Sequence, residues 1–196
     1  MRKKDQSWRF CVDYWKLNAV MLQDAYPLPC VDESLGALAG SRYVSTLDLS
    51  SGYWQVPLDA DAQDKSTFAT RSGFCKWKLL PFGLTSTLAK FQRLMEQILH
   101  GVYWNTLLLY VDNVIVISPD FDSHLQRLEK VLRRLQDAGL KLKPTKCELL
   151  QDEVHYLGHV VSAKGVATDL AKVEAIKKCE PPKDVKALQA FRGTAG

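Results

Sequence analysis

Two apolar, β-rich runs, Leu107-Leu-Leu-Tyr-Val and Val114-Ile-Val-Ile, flank a single polar pair, Asp112-Asn113. Arms this apolar predict a buried hairpin with a polar tip, built of strands suited to the centre of a sheet. A second run, residues 43–49, alternates: Tyr43, Ser45, Leu47 and Leu49 share one face, and Val44, Thr46 and Asp48 the other. Asp48 thus sits at the finish of a core strand, 64 residues before Asp112. Adjacent strands would bring the two carboxylates together. Held a few ångströms apart in a low dielectric they repel unless a cation or proton lies between them, and a divalent metal is the usual resolution where phosphates are handled. The bland alternative is that Asp112-Asn113 is only a turn, since both residue types tolerate positive φ. Spacing alone leaves both readings open.

Around these runs the pattern predicts a strand over 8–14, an extended loop over 24–29, and a short helix over 31–38 ending before Gly40. Another strand is expected over 74–80, stopped by Pro81, and a helix over 89–99 with Phe91, Leu94, Met95, Ile98 and Leu99 at helical spacing. Ser118, Pro119 and Asp120 open a helix expected to bury Leu125, Leu128, Val131, Leu132 and Leu135 and to end at Gly139. Its other face carries Arg127, Lys130 and Arg134. A single strand is predicted over 154–161, a turn at Lys164-Gly165, and helical segments over 170–178 and 185–191.

The 196 residues are 46% apolar and 24% charged, enough for a substantial core and incompatible with a disordered tail. The net charge of +4 names no partner by itself. It is uneven, however: residues 125–150 hold seven basic against three acidic side chains, residues 2–16 are also basic, and Asp59, Asp61 and Asp64 make the middle acidic. Five widely spaced cysteines without a CxxC signal neither a disulfide framework nor a zinc ribbon. His155 and His159 on one strand would lie about 13 Å apart and could not chelate an ion as neighbours. With no apolar leader and no membrane-length apolar run, the chain reads as soluble and intracellular, cytoplasmic or nuclear.

The order of short motifs closely resembles the reverse transcriptase of gypsy-type LTR retrotransposons. Trp8-Arg-Phe-Cys-Val-Asp-Tyr14 with Lys16-Leu-Asn18 is similar to the family's fingers strand, and Asp24-Ala-Tyr-Pro-Leu-Pro29 to its connecting loop. Leu47-Asp-Leu-Ser-Ser-Gly-Tyr-Trp-Gln55 resembles the first catalytic motif, and Leu80-Pro-Phe-Gly-Leu-Thr-Ser86 with Phe91-Gln92 the second. Tyr110-Val-Asp-Asn113 resembles the signature polymerase hairpin, and the two following motifs match Gly139-Leu-Lys-Leu-Lys-Pro-Thr-Lys-Cys147 and Tyr156-Leu-Gly-His159.

The resemblance implies an α+β fold: a right-hand polymerase palm of antiparallel sheet backed by helices, with partial fingers and the start of a thumb. It divides the chain into partial fingers and palm entry (1–40), the first catalytic strand of the palm (41–55), a fingers segment (56–82), palm with the polymerase hairpin at 107–118 (83–161), and the start of a thumb (162–196). The implied activity is template-directed transfer of deoxynucleotides from their triphosphates to a primer 3′-end on RNA or DNA. Asp48 and Asp112 would hold two Mg²⁺ ions, or Mn²⁺, helped by the Leu49 carbonyl. Arg9, with Lys3 or Lys4, would grip the β- and γ-phosphates. Tyr53 would lie under the incoming sugar, and Phe82-Gly83 would let backbone approach the nucleotide. Trp54, Gln55, Lys146, Leu157 and Gly158 fall at nucleic-acid-side positions, Lys146 also being placed to protonate departing pyrophosphate.

The sequence departs from the family pattern at the hairpin, where a second aspartate is usual and Asn113 stands instead. A neutral amide removes one negative charge from a site expected to hold two divalent cations. Loss of even an outer partner of a metal site costs about 10- to 100-fold, so impaired turnover is expected. Trp15 and Cys30 stand where the family usually has Arg, and Ser86-Thr-Leu-Ala-Lys90 lacks a usual proline. By the same resemblance most of the thumb and any ribonuclease H, protease or integrase part are expected to be absent. Two readings follow: a reverse transcriptase domain weakened at Asn113, or a catalytically inactive nucleic-acid-binding remnant of a retroelement polyprotein. A third, an unrelated α+β domain with a chance Asp-Asn turn, requires Asp48 and Asp112 to lie far apart.

Overall fold

The computed structural model describes residues 10–27, 29, 41–102, 107–156, 158–162, 165–168, 170–177, 181, 182, 184, 185, 187–189 and 191. The helix expected over 31–38 lies outside them. The elements are α1 (Trp15–Val20), β1 (Tyr43–Asp48), a 3-10 turn (Gly52–Gln55), α2 (Ala60–Lys65), β2 (Phe68–Thr70), β3 (Gly73–Cys75), α3 (Thr87–Ile98), β4 (Leu107–Tyr110), β5 (Asn113–Ser118), α4 (Phe121–Asp137), a second 3-10 turn (Pro144–Lys146), β6 (Glu148–Gln151), β7 (Glu153–Tyr156), β8 (His159–Ser162), β9 (Gly165–Thr168) and α5 (Leu170–Lys177).

The central sheet is antiparallel, in the order β4-β5-β1-β6. β1 runs beside β5 in unbroken register from Tyr43 opposite Ser118 to Asp48 opposite Asn113. Its pairing with β6 shifts between Val44 and Thr46, where Leu150 takes a φ of 54° and donates its N–H to Ser45 Oγ at 2.9 Å. Both faces of the sheet are covered. Leu47, Leu109, Val114 and Val116 pack with Phe91 and Met95 of α3 and Leu128, Val131 and Leu135 of α4. On the other face, Val44, Leu108, Ile115 and Ile117 pack with Val154, Tyr156 and Val161 of the β7-β8-β9 sheet. This two-sided burial explains why the arms of the hairpin are apolar at every position instead of alternating.

Several expectations need correction. Residues 10–14 form no strand; the chain instead enters α1, none of whose residues is buried. The run over 74–80 splits: β3 is only Gly73–Cys75, paired with β2, and Leu79 makes an isolated bridge to Pro57. The run over 154–161 is two strands, with Tyr156 opposite His159 and Gly158 at a φ of 82° between them. His155 therefore pairs with Val160 and points to the opposite face from His159; the histidines still form no metal pair, for a different reason.

Helix α4 begins as expected, with Asp120 accepting the Ser123 N–H at 2.9 Å, and Gly139 follows it at a φ of 71°. Its buried face is rotated from the expected one. Leu125 and Leu132 are 44% and 40% exposed, and His124 is fully buried, its ring nitrogens 2.7 Å from Ser45 Oγ and 2.7 Å from Ser118 Oγ. Two side chains of the basic face are not simply solvated. Arg127 donates to the carbonyl of Ile117, and Arg134 to that of Ile98 at 3.2 Å. Helical residues recur at 185, 187–189 and 191. Among the described residues no helix is long and apolar enough to cross a membrane.

Candidate active site

The β1–β5 register decides the first question: Asp48 ends β1 directly beside Asn113, the neighbour of Asp112. The reading that needed the two aspartates far apart is excluded. Asp48 is largely shielded, its side chain 18% exposed, and pairs through Oδ2 with Lys146 Nζ at 3.0 Å. Burial pushes the Asp112 carboxyl above its ordinary range; its own backbone N–H pulls it down, and the Asp48 charge pushes it further up. The Asn113 amide nitrogen lies 3.5 Å from Asp112 Oδ1. A polar cleft of about 180 Å³ opens here, lined by Thr46, Asp48, Asn113, Lys146, Glu148 and Tyr156 among others.

The hairpin turn is one residue earlier than the polar pair suggests. Tyr110 pairs with Asn113, so Val111 and Asp112 form the loop and Asn113 opens β5. Val111, not an Asp or Asn, takes the left-handed φ, at 58°. A β-branched residue there is strained and persists only where its surroundings over-determine it. Val111 is itself buried; its N–H donates to Gln92 Oε1 at 2.7 Å, and the Asp112 carbonyl accepts the Leu49 N–H at 3.4 Å.

Behind the turn, Gly52 passes so close to Phe91 that a Cβ would lie 2.8 Å from the ring and 3.5 Å from Asp112 Cβ. Tyr53 stands edge-on to Phe82 and Phe91, at 5.1 and 4.8 Å between ring centres. Burial, with the Asp112 charge second, pushes its hydroxyl up to about 12, so it stays neutral. Gly83 takes a φ of 95°, and its carbonyl accepts from Asn18 Nδ2 at 2.7 Å while the Thr85 N–H donates to Asn18 Oδ1 at 2.9 Å. Asn18 thus clamps the Phe82-Gly83 loop, a function its place in a short motif did not disclose.

Of the other singled-out residues, Trp54 stacks on Trp77 at 6.0 Å. Gln55 spends its amide on backbone: Nε2 donates to the carbonyls of Ser50 and Lys141, and Oε1 accepts the Lys141 N–H. Leu49 packs in the core beside the carboxylates. Gly158 lies in the β7–β8 turn, while Leu157, Lys3, Lys4 and Arg9 fall outside the described residues. Trp15, at a position of departure from the family pattern, is 64% exposed on α1. A residue the sequence did not flag is His124, which sits in no metal-ligand or nucleophile spacing; Gln92 stood in the second motif, but its contact with the hairpin turn was not disclosed there.

The pair of carboxylates is a hard-oxygen donor set, the chemistry that suits Mg²⁺ or Mn²⁺. Among the described residues no three His, Cys, Asp or Glu side chains form a closed cage, so an ion here would complete its shell with water and substrate oxygens, as Mg²⁺ does. The donors fit.

Comparison with known proteins agrees with this geometry. The pattern of the reverse transcriptase (RNA-dependent DNA polymerase) family matches residues 1–161. The retrovirus-related Pol polyprotein from transposon 297 of Drosophila melanogaster is 38% identical over 189 residues, 96% of this chain and 18% of that protein. The Pol polyprotein from transposon gypsy of the same fly is 33% identical over 187 residues, 95% of this chain and again 18% of the relative. The chain therefore spans less than a fifth of the length of these relatives. Among solved structures, a foamy viral protease-reverse transcriptase in complex with double-stranded DNA superposes with a TM-score of 0.89 at 28% identity, covering 99% of this chain and 34% of that one. The foamy viral enzyme in complex with an RNA/DNA hybrid gives 0.81 at 29% identity, over 98% of this chain and 26% of that one. A right-hand polymerase fold, a carboxylate pair on adjacent strands and a family match over most of the sequence converge: the chain belongs to the reverse transcriptase (RNA-dependent DNA polymerase) family.

Proposed function

We propose that this chain carries the nucleotidyl-transfer site of an RNA-directed DNA polymerase, acting on a primer annealed to RNA or DNA and on deoxynucleoside triphosphates. The observation that carries the reading is Asp48 set beside the Asp112-Asn113 tip by the β1–β5 register. In the reaction the primer 3′-oxygen attacks the α-phosphorus, the bond to the bridging oxygen breaks, and pyrophosphate leaves. Asp48 and Asp112, with the Leu49 carbonyl, would hold two Mg²⁺ ions, which when bound lower the pKa of the 3′-hydroxyl and neutralise the triphosphate. Tyr53, neutral and wedged between Phe82 and Phe91, forms the floor under the incoming sugar. Gly83, at a φ of 95° with its missing Cβ toward the Val12 carbonyl and the Tyr14 ring, lets its loop take the left-handed turn that would bring backbone to the nucleotide. Lys146, 56% exposed and within ion-pair distance of Asp48, neutralises that carboxylate before substrate arrives and is placed to give a proton to the leaving pyrophosphate. Lys3, Lys4 and Arg9 would take the β- and γ-phosphates, and Trp54, Gln55, Leu157 and Gly158 would border the template-primer. In this reading residues 41–55 and 83–161 are palm, 1–40 and 56–82 fingers, and 162–196 the start of a thumb.

Asn113 removes one carboxylate from the site, so the natural chain is expected to extend slowly. The test is single-nucleotide primer extension on an RNA template with Mg²⁺ or Mn²⁺. Asn113→Asp is expected to raise the rate at least about tenfold, the scale of a lost partner at a metal site, and Asp48→Ala to abolish extension. If no variant extends a primer while the chain still binds a primer–template duplex, the reading as a working polymerase is wrong and a binding remnant replaces it.

A further inference from the structure

A chain of side-chain hydrogen bonds runs from the carboxylate-bearing turn to a loop far away in sequence. Gln92 is fully buried. Its Oε1 accepts the Val111 N–H, and its Nε2 donates to Glu96 Oε1 at 2.8 Å. Glu96 Oε2 in turn accepts from the Tyr26 hydroxyl. Gln92 and Glu96 are one helical turn apart on α3, so they stack along one face. Alongside them Arg93 pairs with Asp24 at 2.8 Å and lies over the Tyr26 ring at 4.6 Å, so the loop carrying Asp24 and Tyr26 is fastened to α3 twice.

The chemistry gives this relay a direction. A buried amide oxygen of Gln92 could rotate away from Val111; Nε2 faces acceptors only, the Glu96 carboxylate at 2.8 Å and, at the longer 3.5 Å, the Leu109 carbonyl, so the shorter, charged bond to Glu96 leads in selecting the rotamer that presents oxygen to Val111. The Tyr26 hydroxyl fixes the Glu96 carboxylate in the same way, and its own proton is held more firmly because Glu96 accepts it. Val111 is the first loop residue and has no strand partner for its N–H. Without the Gln92 oxygen that donor is buried unsatisfied in a backbone conformation that is already strained.

We propose that Gln92, oriented by Glu96 and Tyr26, is a positioning residue: it holds the Val111-Asp112 turn and thereby sets the Asp112 carboxylate against Asp48. The 24–26 loop thus controls the geometry of the site from outside it. This rests on the polymerase reading for its functional meaning, but not for its structural content.

Amide hydrogen exchange on the full chain tests it, comparing the Val111 amide with that of Ile115 in the same protein. In Gln92→Leu and Glu96→Leu the Val111 amide is expected to exchange about tenfold faster relative to Ile115, the scale of one net hydrogen bond. Glu96→Gln, which keeps an acceptor for Gln92 Nε2 and a partner for Tyr26, is expected to stay within about threefold. Equal acceleration at both amides would reduce the relay to general stability and overturn the proposal, as would an unchanged ratio in Gln92→Leu or a Glu96→Gln ratio as high as that of Glu96→Leu. In the Asn113→Asp background, Gln92→Leu is expected to lower kcat for primer extension with little change in KM for the deoxynucleotide; parental kcat overturns the positioning role. If the exchange ratios move as stated and no variant extends a primer, the proposed function fails and the relay stands.

Discussion

Two of the antiparallel hairpins with two-residue loops, β4–β5 and β2–β3, are built on opposite terms. β4–β5 lies at the heart of the sheet, with Leu107, Leu108, Val114, Ile115 and Val116 fully buried, and its tip carries a strained valine and a carboxylate. β2–β3 is exposed along almost its whole length; Phe74 is 84% exposed, and the left-handed backbone beside its turn falls on Gly73, at a φ of 128° with open space where a Cβ would stand. The peripheral hairpin puts glycine where the backbone needs it. The central one puts Val111 there and compensates with buried side chains and an external hydrogen bond. Between these two hairpins, strain is kept where surrounding packing can hold it, next to the carboxylates, and avoided where nothing can.

The contrast breaks if core and peripheral truncations have similar effects. Ile115→Ala should cost about 2–5 kcal/mol, the range for emptying a packed aliphatic site, whereas Phe74→Ala should stay within about 0.5 kcal/mol; urea unfolding of both proteins checks this. Next in size is Gly73→Ala, which forces a side chain into a conformation costing about 1–3 kcal/mol. Because β2–β3 pairs only with itself, the loss should appear as faster amide exchange at Phe68, which faces Cys75 in a hydrogen-bonded pair, with an unchanged global midpoint. A falling midpoint of matching size would show that the two hairpins unfold together.

The smallest effect at neutral pH grows on acidification. Burial, and secondarily the Arg127 charge, hold His124 below its ordinary 6.5, so the unfolded chain takes up the proton first. Its contribution is complete above about pH 6.5 and is lost as pH falls below that toward the folded value. Asp112, raised above 3.8 by burial, acts in the opposite sense, favouring the folded state as it protonates. His124→Gln should therefore flatten the acid limb of a stability–pH curve; an unchanged limb would mean that His124 does not titrate on unfolding.

Much of the site was legible because its signals are local. Apolar arms around Asp112 and a strand ending in Asp48 show in a few consecutive residues, and their motif order carried the family. The position of the turn was not legible: Asp112-Asn113 are good turn residues, and what moves the turn onto Val111 is an acceptor 19 residues away, Gln92. His124 escaped for a similar reason. Leu125 and Leu132 fit an apolar face better by pattern, yet Ser45 and Ser118 from two strands supply the partners that let a histidine be buried. The β7–β8 hairpin reads as one strand in the sequence because its apolar residues continue through the turn, with only Gly158 to mark it. The short elements α1 and α2 leave little trace at all, since neither buries a residue.

The strand order β4-β5-β1-β6 also dictates when the site can exist during folding. β4, β5 and α4 are neighbours in sequence and can associate by closing short loops. β1 must find β5 some 70 residues later and β6 some 100 residues later, and closing loops of that length slows folding because their entropy is lost before the contacts form. Asp112 is thus carried on a locally assembled unit, and Asp48 joins it only through the long-range β1–β5 closure. The two carboxylates repel each other only once the surrounding core is in place to hold them, so their mutual repulsion opposes the end of folding and not its beginning.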